Sequence, residues 1–126
     1  MNGVAEVCVL RPETIAKDTT MELRDNGRVV GATRGASYFC YLAAPGEHQL
    51  TSIDDDTGPT LLRAKSGTRY WLHQEVTTLG GDLHAHLDFV DDAAATEMLE
   101  HIDVRVLVAV RGHESAEGAM PIAAAR

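Results

Sequence analysis

Apolar residues alternate with polar ones over short runs in this chain, and the runs return about every ten residues with turn-forming residues between them. That rhythm predicts the strands of a β-sandwich or barrel. The first run, Val4–Leu10, is closed by Pro12, which donates no ladder hydrogen bond and restricts Arg11 before it. Thr20–Arg24 and Arg28–Ala32 flank Asp25-Asn26-Gly27. An Asn-Gly pair tolerates the positive φ values of a type I′ turn, so these two runs predict a tight hairpin. Ser37–Ala43 and Glu47–Ile53 are joined through Pro45-Gly46, a second turn pair. Thr60–Ala64 predicts a short strand, and Thr68–Thr77 with Asp82–Val90 a long hairpin turning at Gly80-Gly81. All six aromatic residues fall inside these runs, as expected if the sheets make the core.

The period changes at Asp91-Asp92, good N-cap and first-turn residues. Ala94, Ala95, Met98, Leu99 and Ile102 follow at helical spacing. They predict a helix over about 91–102 that packs on the sandwich or covers one end of it. Val104, Val106, Val108 and Val110 then alternate again, which predicts either an extra edge strand or a strand over 103–110 that pairs with a second copy. The Gly, Ala and Glu content of 111–126 reads as a flexible tail, leaving a single domain over 1–110.

A chain of 126 residues, 44% of them apolar, has the size of one domain with one core. Eleven Lys and Arg against nineteen Asp and Glu leave a net charge of −8, which argues against an electrostatic grip on nucleic acid or anionic lipid. The apolar run Val106–Val110 is far shorter than the roughly 20 residues a membrane helix needs, and no basic-then-apolar signal opens the chain, so a soluble domain is expected. Two cysteines, Cys8 and Cys40, are too few for a disulfide scaffold and lack metal-motif spacing. Buried free thiols and a Cys8–Cys40 bridge both remain open, the bridge requiring the first and fourth strands to be neighbours.

The chemistry worth weighing lies in the last hairpin. With Gly80-Gly81 as a two-residue turn, His73 stands opposite Asp88, Glu75 opposite His86 and Thr77 opposite His84. Alternation sends Tyr70, Leu72, Gln74, Val76, Leu83, Ala85, Leu87 and Phe89 inward. It sends His73, Glu75, His84, His86 and Asp88 outward, beside Trp71. Three imidazoles and two carboxylates on one face are the right chemistry for zinc or copper, and His84-x-His86 offers two ligands in one direction. The same residues also suit a plain solvated sheet face with cross-strand ion pairs. Asp54-Asp55-Asp56 lacks the alternation of a calcium loop. His48 is expected on an exposed strand start beside its turn, and no hydrolase elbow, phosphate loop or zinc-protease helix motif occurs.

The order of Val7-Cys8-Val9-Leu10-Arg11-Pro12, the Asp25–Gly31 hairpin, Gly35-Ala36-Ser37-Tyr38-Phe39, Pro45-Gly46-Glu47-His48 and Lys65–Trp71 resembles an uncharacterised family of small bacterial lipoprotein-like domains. The resemblance covers about residues 4 to 102. It implies an Ig-like or transthyretin-like antiparallel β-sandwich of about seven to eight strands with one short C-terminal helix. It also implies placement in the periplasm or cell envelope behind a removed N-terminal signal, and no assigned reaction. This chain departs from the family in showing no lipobox and in its Val104–Arg126 extension. The function expected is a non-catalytic envelope domain binding a protein or glycan, with the 103–110 run and the acidic loop as surfaces. The alternative is a metal-binding module on the His84/His86 face, and without a removed signal the location would be cytoplasmic.

Overall fold

The computed structural model describes residues 3–52, 58–79, 81–102 and 104–105. Its strands are β1 (Ala5–Arg11), β2 (Thr20–Asp25), β3 (Arg28–Arg34), β4 (Ser37–Ala43), β5 (Gly46–Ser52), β6 (Thr60–Ala64), β7 (Arg69–Leu79) and β8 (Asp82–Val90). The helix α1 (Asp92–Leu99) and the two-residue β9 (Val104–Arg105) follow. The strands form two sheets, one in the order β8-β7-β1-β4-β9 and the other β3-β2-β5-β6. The β-sandwich expected from the spacing of the runs is therefore the fold. Its ladders are antiparallel except where β1 meets β7 and β4 meets β9, which are parallel.

Alternation explains which side chains meet. Val7 and Val9 of β1, Phe39 and Tyr41 of β4 and Leu72 of β7 face Leu23, Leu50 and Leu62 of the other sheet and make the main core. The opposite face of the first sheet is covered as well. Cys8, Leu10, Tyr38, Cys40 and Trp71 pack with Ala95 of α1, flanked by Met98, Leu99 and Ile102. β1, covered on both sides, is buried at every residue, which is why its sequence is an almost unbroken apolar run. The helix thus lies on the sandwich, one of the two placements its apolar stripe allowed. It starts one residue after Asp91, whose carboxylate accepts from the Ala94 N–H at 2.8 Å.

Two local geometries need glycine. Asn26 and Gly27 both have positive φ, 51° and 84°, as a type I′ turn requires, and they close the β2–β3 hairpin. Gly31 lies under the Phe39 ring, where an added Cβ would come within 2.2 Å of ring carbon.

The cysteines are bonded to each other. Cys8 and Cys40 are direct partners in the β1–β4 ladder, and a disulfide joins them across a separation of 32 residues. Of the two readings the sequence allowed, the free thiols are set aside, because the chain returns from the other sheet to lay β4 antiparallel beside β1, with Cys8 directly opposite Cys40. Closing a loop of that length stabilises the fold by about 3–4 kcal/mol in the chain-entropy account.

Val104–Arg105 pairs with Ser37–Tyr38, so the start of the last alternating run is spent as an edge strand of its own sheet. The rest of that run, the proposed tail over 111–126 and the Asp54–Asp56 loop lie outside the described residues. No helix among the described residues is long and apolar enough to cross a membrane.

Candidate functional site

The β7–β8 ladder has the register that its Gly80-Gly81 turn predicts: His73 opposite Asp88, Glu75 opposite His86, Thr77 opposite His84. His73, Glu75, His84, His86 and Asp88 accordingly share the outer face of the five-stranded sheet, without converging on a point. His73 is drawn toward the loop after β1, where its Nε2 meets Glu13 Oε2 at 2.7 Å. His86 Nε2 meets Asp88 Oδ1, two residues along its own strand, at 3.0 Å. The hydrogen bond that His73 donates to the Glu13 carboxylate raises the His73 pKa above its ordinary value. Burial opposes that rise, and the charges of Glu13, Glu75 and Asp88 add to it. Glu13, in a loop with no regular pattern, carries no sequence signal that would have paired it with His73.

Trp71, expected beside these polar groups in solvent, is buried beneath α1. Its indole N–H donates to Asp92 Oδ1 at 2.8 Å, and the Arg69 guanidinium lies 5.5 Å from its ring centroid. Arg69 also holds Glu6 through its Nε. Glu6 is a buried carboxylate on the same face of β1 as Cys8, two residues before it. Among the described residues, Glu6, Cys8 and Cys40 are the only three His, Cys, Asp or Glu side chains whose ligand atoms lie within 4.8 Å of one another.

Two polar networks sit inside the sandwich, one toward each end. At one end, Gln74 of β7 crosses the core. It accepts from the Thr33 hydroxyl of β3 at 2.5 Å and donates to the Ser52 hydroxyl of β5 at 2.8 Å. Arg11, the last residue of β1 and fully buried, donates from its two terminal nitrogens to the carbonyls of Thr19, Thr33, Ile15 and Ala16. It anchors the loop after Pro12. Burial pushes the guanidinium pKa below its ordinary value, against the pull of nearby Glu13.

At the other end, His48 is buried at 8% exposure, not set on an exposed strand start as its turn suggested. Its alternation with Leu50 and Ser52 along β5 is the signal that places it inside. His48 Nε2 donates to the Ala44 carbonyl at 2.6 Å, and Nδ1 meets Asp25 Oδ1 at 2.7 Å. The Tyr41 hydroxyl donates to Asp25 Oδ2 at 2.9 Å. Burial, the Asp25 charge and that hydrogen bond, in that order, push the Tyr41 pKa well above its ordinary value. Asp25 stands immediately before the Asn-Gly turn, so its side chain reads in sequence as turn chemistry. Both imidazole nitrogens of His48 are thus engaged within the fold.

Three large apolar side chains are about half exposed among the described residues: Ile15 in the loop after β1, and one on an edge strand of each sheet. β8 is an edge of one sheet and β6 an edge of the other, and the Thr60 hydroxyl reaches the Leu87 carbonyl at 3.5 Å between them. Leu61 on β6 and Phe89 on β8 are 49% and 46% exposed. Phe89 has the inward parity expected of it, but as an edge residue it is not enclosed. No family model matches the chain, and no curated protein or solved structure matches it.

Proposed function

We propose that this domain is a non-catalytic interaction module of the bacterial cell envelope, presenting a rigid two-sheet frame to a protein or glycan partner. The observation that carries the proposal is the flank where edge strands β6 and β8 meet. Two of the three large apolar side chains that stand about half exposed, Leu61 and Phe89, lie on these edge strands, one on each sheet. Edge strands offer unpaired main-chain groups as well, the usual means by which a sheet takes on another chain. The Cys8–Cys40 disulfide supports an oxidising compartment, since such bonds form and persist in secreted and periplasmic proteins and are rare in the cytosol. The polar groups that sequence offers for catalysis are committed to structure: His48 to Asp25 and Ala44, His73 to Glu13, and each cysteine to the other.

The test compares the domain with its Leu61→Lys, Phe89→Lys double variant for co-sedimentation with cell envelopes from the cells that produce it. The wild type should sediment with the envelopes and the variant, at an unchanged melting temperature, should stay in solution. Equal sedimentation of both would remove this flank as the binding surface.

A further inference from the structure

Of the two edge strands on the flank, β8 offers the longer main-chain edge, nine residues against five on β6. In an antiparallel ladder the N–H and C=O of one residue point the same way, alternating along the strand between the partner and the open side. The Leu87 carbonyl accepts the Thr60 hydroxyl of β6 at 3.5 Å, so it points away from β7. Leu83, Ala85 and Phe89 share its parity, and their main-chain groups line the same open edge. On β6 the edge is shorter, and its Arg63 carbonyl already accepts from the Tyr70 hydroxyl at 3.2 Å.

Charge decides what the β8 edge can accept. Asp82 and Asp88 are exposed on the outer face of β8, and Glu75 is exposed beside them on β7. β8 contains no Lys or Arg, and the one that β7 contributes, Arg69, is held by Glu6. With histidines neutral the strip is acidic, in a chain of net charge −8. The opposite parity is apolar, from Leu83 through Ala85 and Leu87 to the half-exposed ring of Phe89.

We infer that the β8 edge takes an extended segment of a partner protein in which Lys or Arg alternates with aliphatic residues, added as a further antiparallel strand. The inference rests on the interaction reading above and names the chemistry of the partner at that flank. Main-chain hydrogen bonds to Leu83 and Ala85 would hold the segment, as in other strand additions. Its alternation would set every second side chain beside Asp82 and Asp88 and the others against the apolar parity, covering Phe89.

The experiment titrates the whole chain, labelled with 15N, with an acetylated Lys-Val-Lys-Val-Lys-Val-Lys peptide. Two control peptides replace every Lys by Glu or gather the same residues into one Lys block and one Val block. The alternating basic peptide should shift the β8 amide signals and slow hydrogen exchange at Leu83 and Ala85, which a purely electrostatic contact would not do. Asp82→Asn with Asp88→Asn should weaken it about fivefold, the worth of two surface ion pairs. Equal binding of the block or acidic peptide, or shifts away from β8, would overturn the inference. Without peptide the chain should scatter light as a monomer, and a dimer that protects the same amides would assign the edge to a second copy and overturn it as well. No peptide binding while the chain still sediments with envelopes sinks this inference and leaves the interaction reading standing. Peptide binding on β8 without envelope sedimentation does the reverse.

Discussion

Thr33 and Gln74 join the two sheets of this domain through a buried hydroxyl-to-amide hydrogen bond of 2.5 Å. Gln74 extends the link to Ser52 on the same opposing sheet. A polar side chain in the middle of the core is tolerated because both ends of its amide find partners, and the cost of breaking the link should be asymmetric for the same reason. Gln74→Leu takes one partner from each of two buried hydroxyls and should cost roughly 1–3 kcal/mol in urea unfolding. Combining it with Thr33→Val and Ser52→Ala removes the two hydroxyls that lost their amide partner, and the triple variant should recover part of that loss. A triple variant less stable than Gln74→Leu alone would contradict this account of the core.

The Tyr41–Asp25–His48 chain at the other end gives a second prediction. Tyr41→Phe removes the donor to Asp25 Oδ2 while keeping the ring that packs near Phe39, and should cost about 1–3 kcal/mol for a hydrogen bond to a charged group. Because the folded-state pKa of Tyr41 is raised, the folded chain holds the phenolic proton to higher pH than the unfolded chain does. Stability from this group is complete below about pH 10 and is lost as pH climbs toward the folded value. Alkaline unfolding, followed by circular dichroism, should therefore lose its steepest component in the Phe variant.

His73 makes the opposite end of the pH scale informative. Its pKa is raised by Glu13, so the pair stabilises the fold fully below about pH 6.5, the unfolded value, and that contribution fades as pH rises through the higher folded value. The stability difference between wild type and His73→Gln should be largest at acid pH and shrink on going to pH 8. A difference that is flat across this range would mean that the Glu13 contact is not formed in solution.

Gly31 is fixed by the ring above it. Gly31→Ala places a methyl group where Phe39 stands and should destabilise by about 1–3 kcal/mol, the range for overpacking a core. Phe39→Leu in the same chain should relieve part of the clash. Thermal melts of the two single variants and the double variant measure the coupling.

Much of the frame was legible in the sequence because strand parity and turn chemistry are local. The Asn26-Gly27 turn and the register of His73, Glu75 and Thr77 against β8 follow from two or three residues each. The helix itself was legible from its stripe, which left open whether it lies on the sandwich or covers an end of it. What stayed hidden depends on which strands become neighbours. Cys8 meets Cys40 only because β4 returns to β1, and no local pattern records that pairing. Trp71 has the parity of a solvent-facing residue and is buried because α1 crosses over it. Phe89 has the parity of a core residue and is half exposed because β8 is an edge. Asp25 and Arg11 read as turn and strand-end charges, and their roles appear only when His48 and the loop after Pro12 close on them.

The envelope-interaction account rests on the β6–β8 flank, and site-specific photo-crosslinking in cells tests it most directly. A photoreactive phenylalanine analogue at position 61, at position 89 and, as control, at exposed position 28 samples the flank and a hairpin tip on β3. The account predicts adducts of one common mass from positions 61 and 89, recovered in the envelope fraction, and none from position 28. Absence of adducts at both flank positions, or the same adducts at all three, would contradict it.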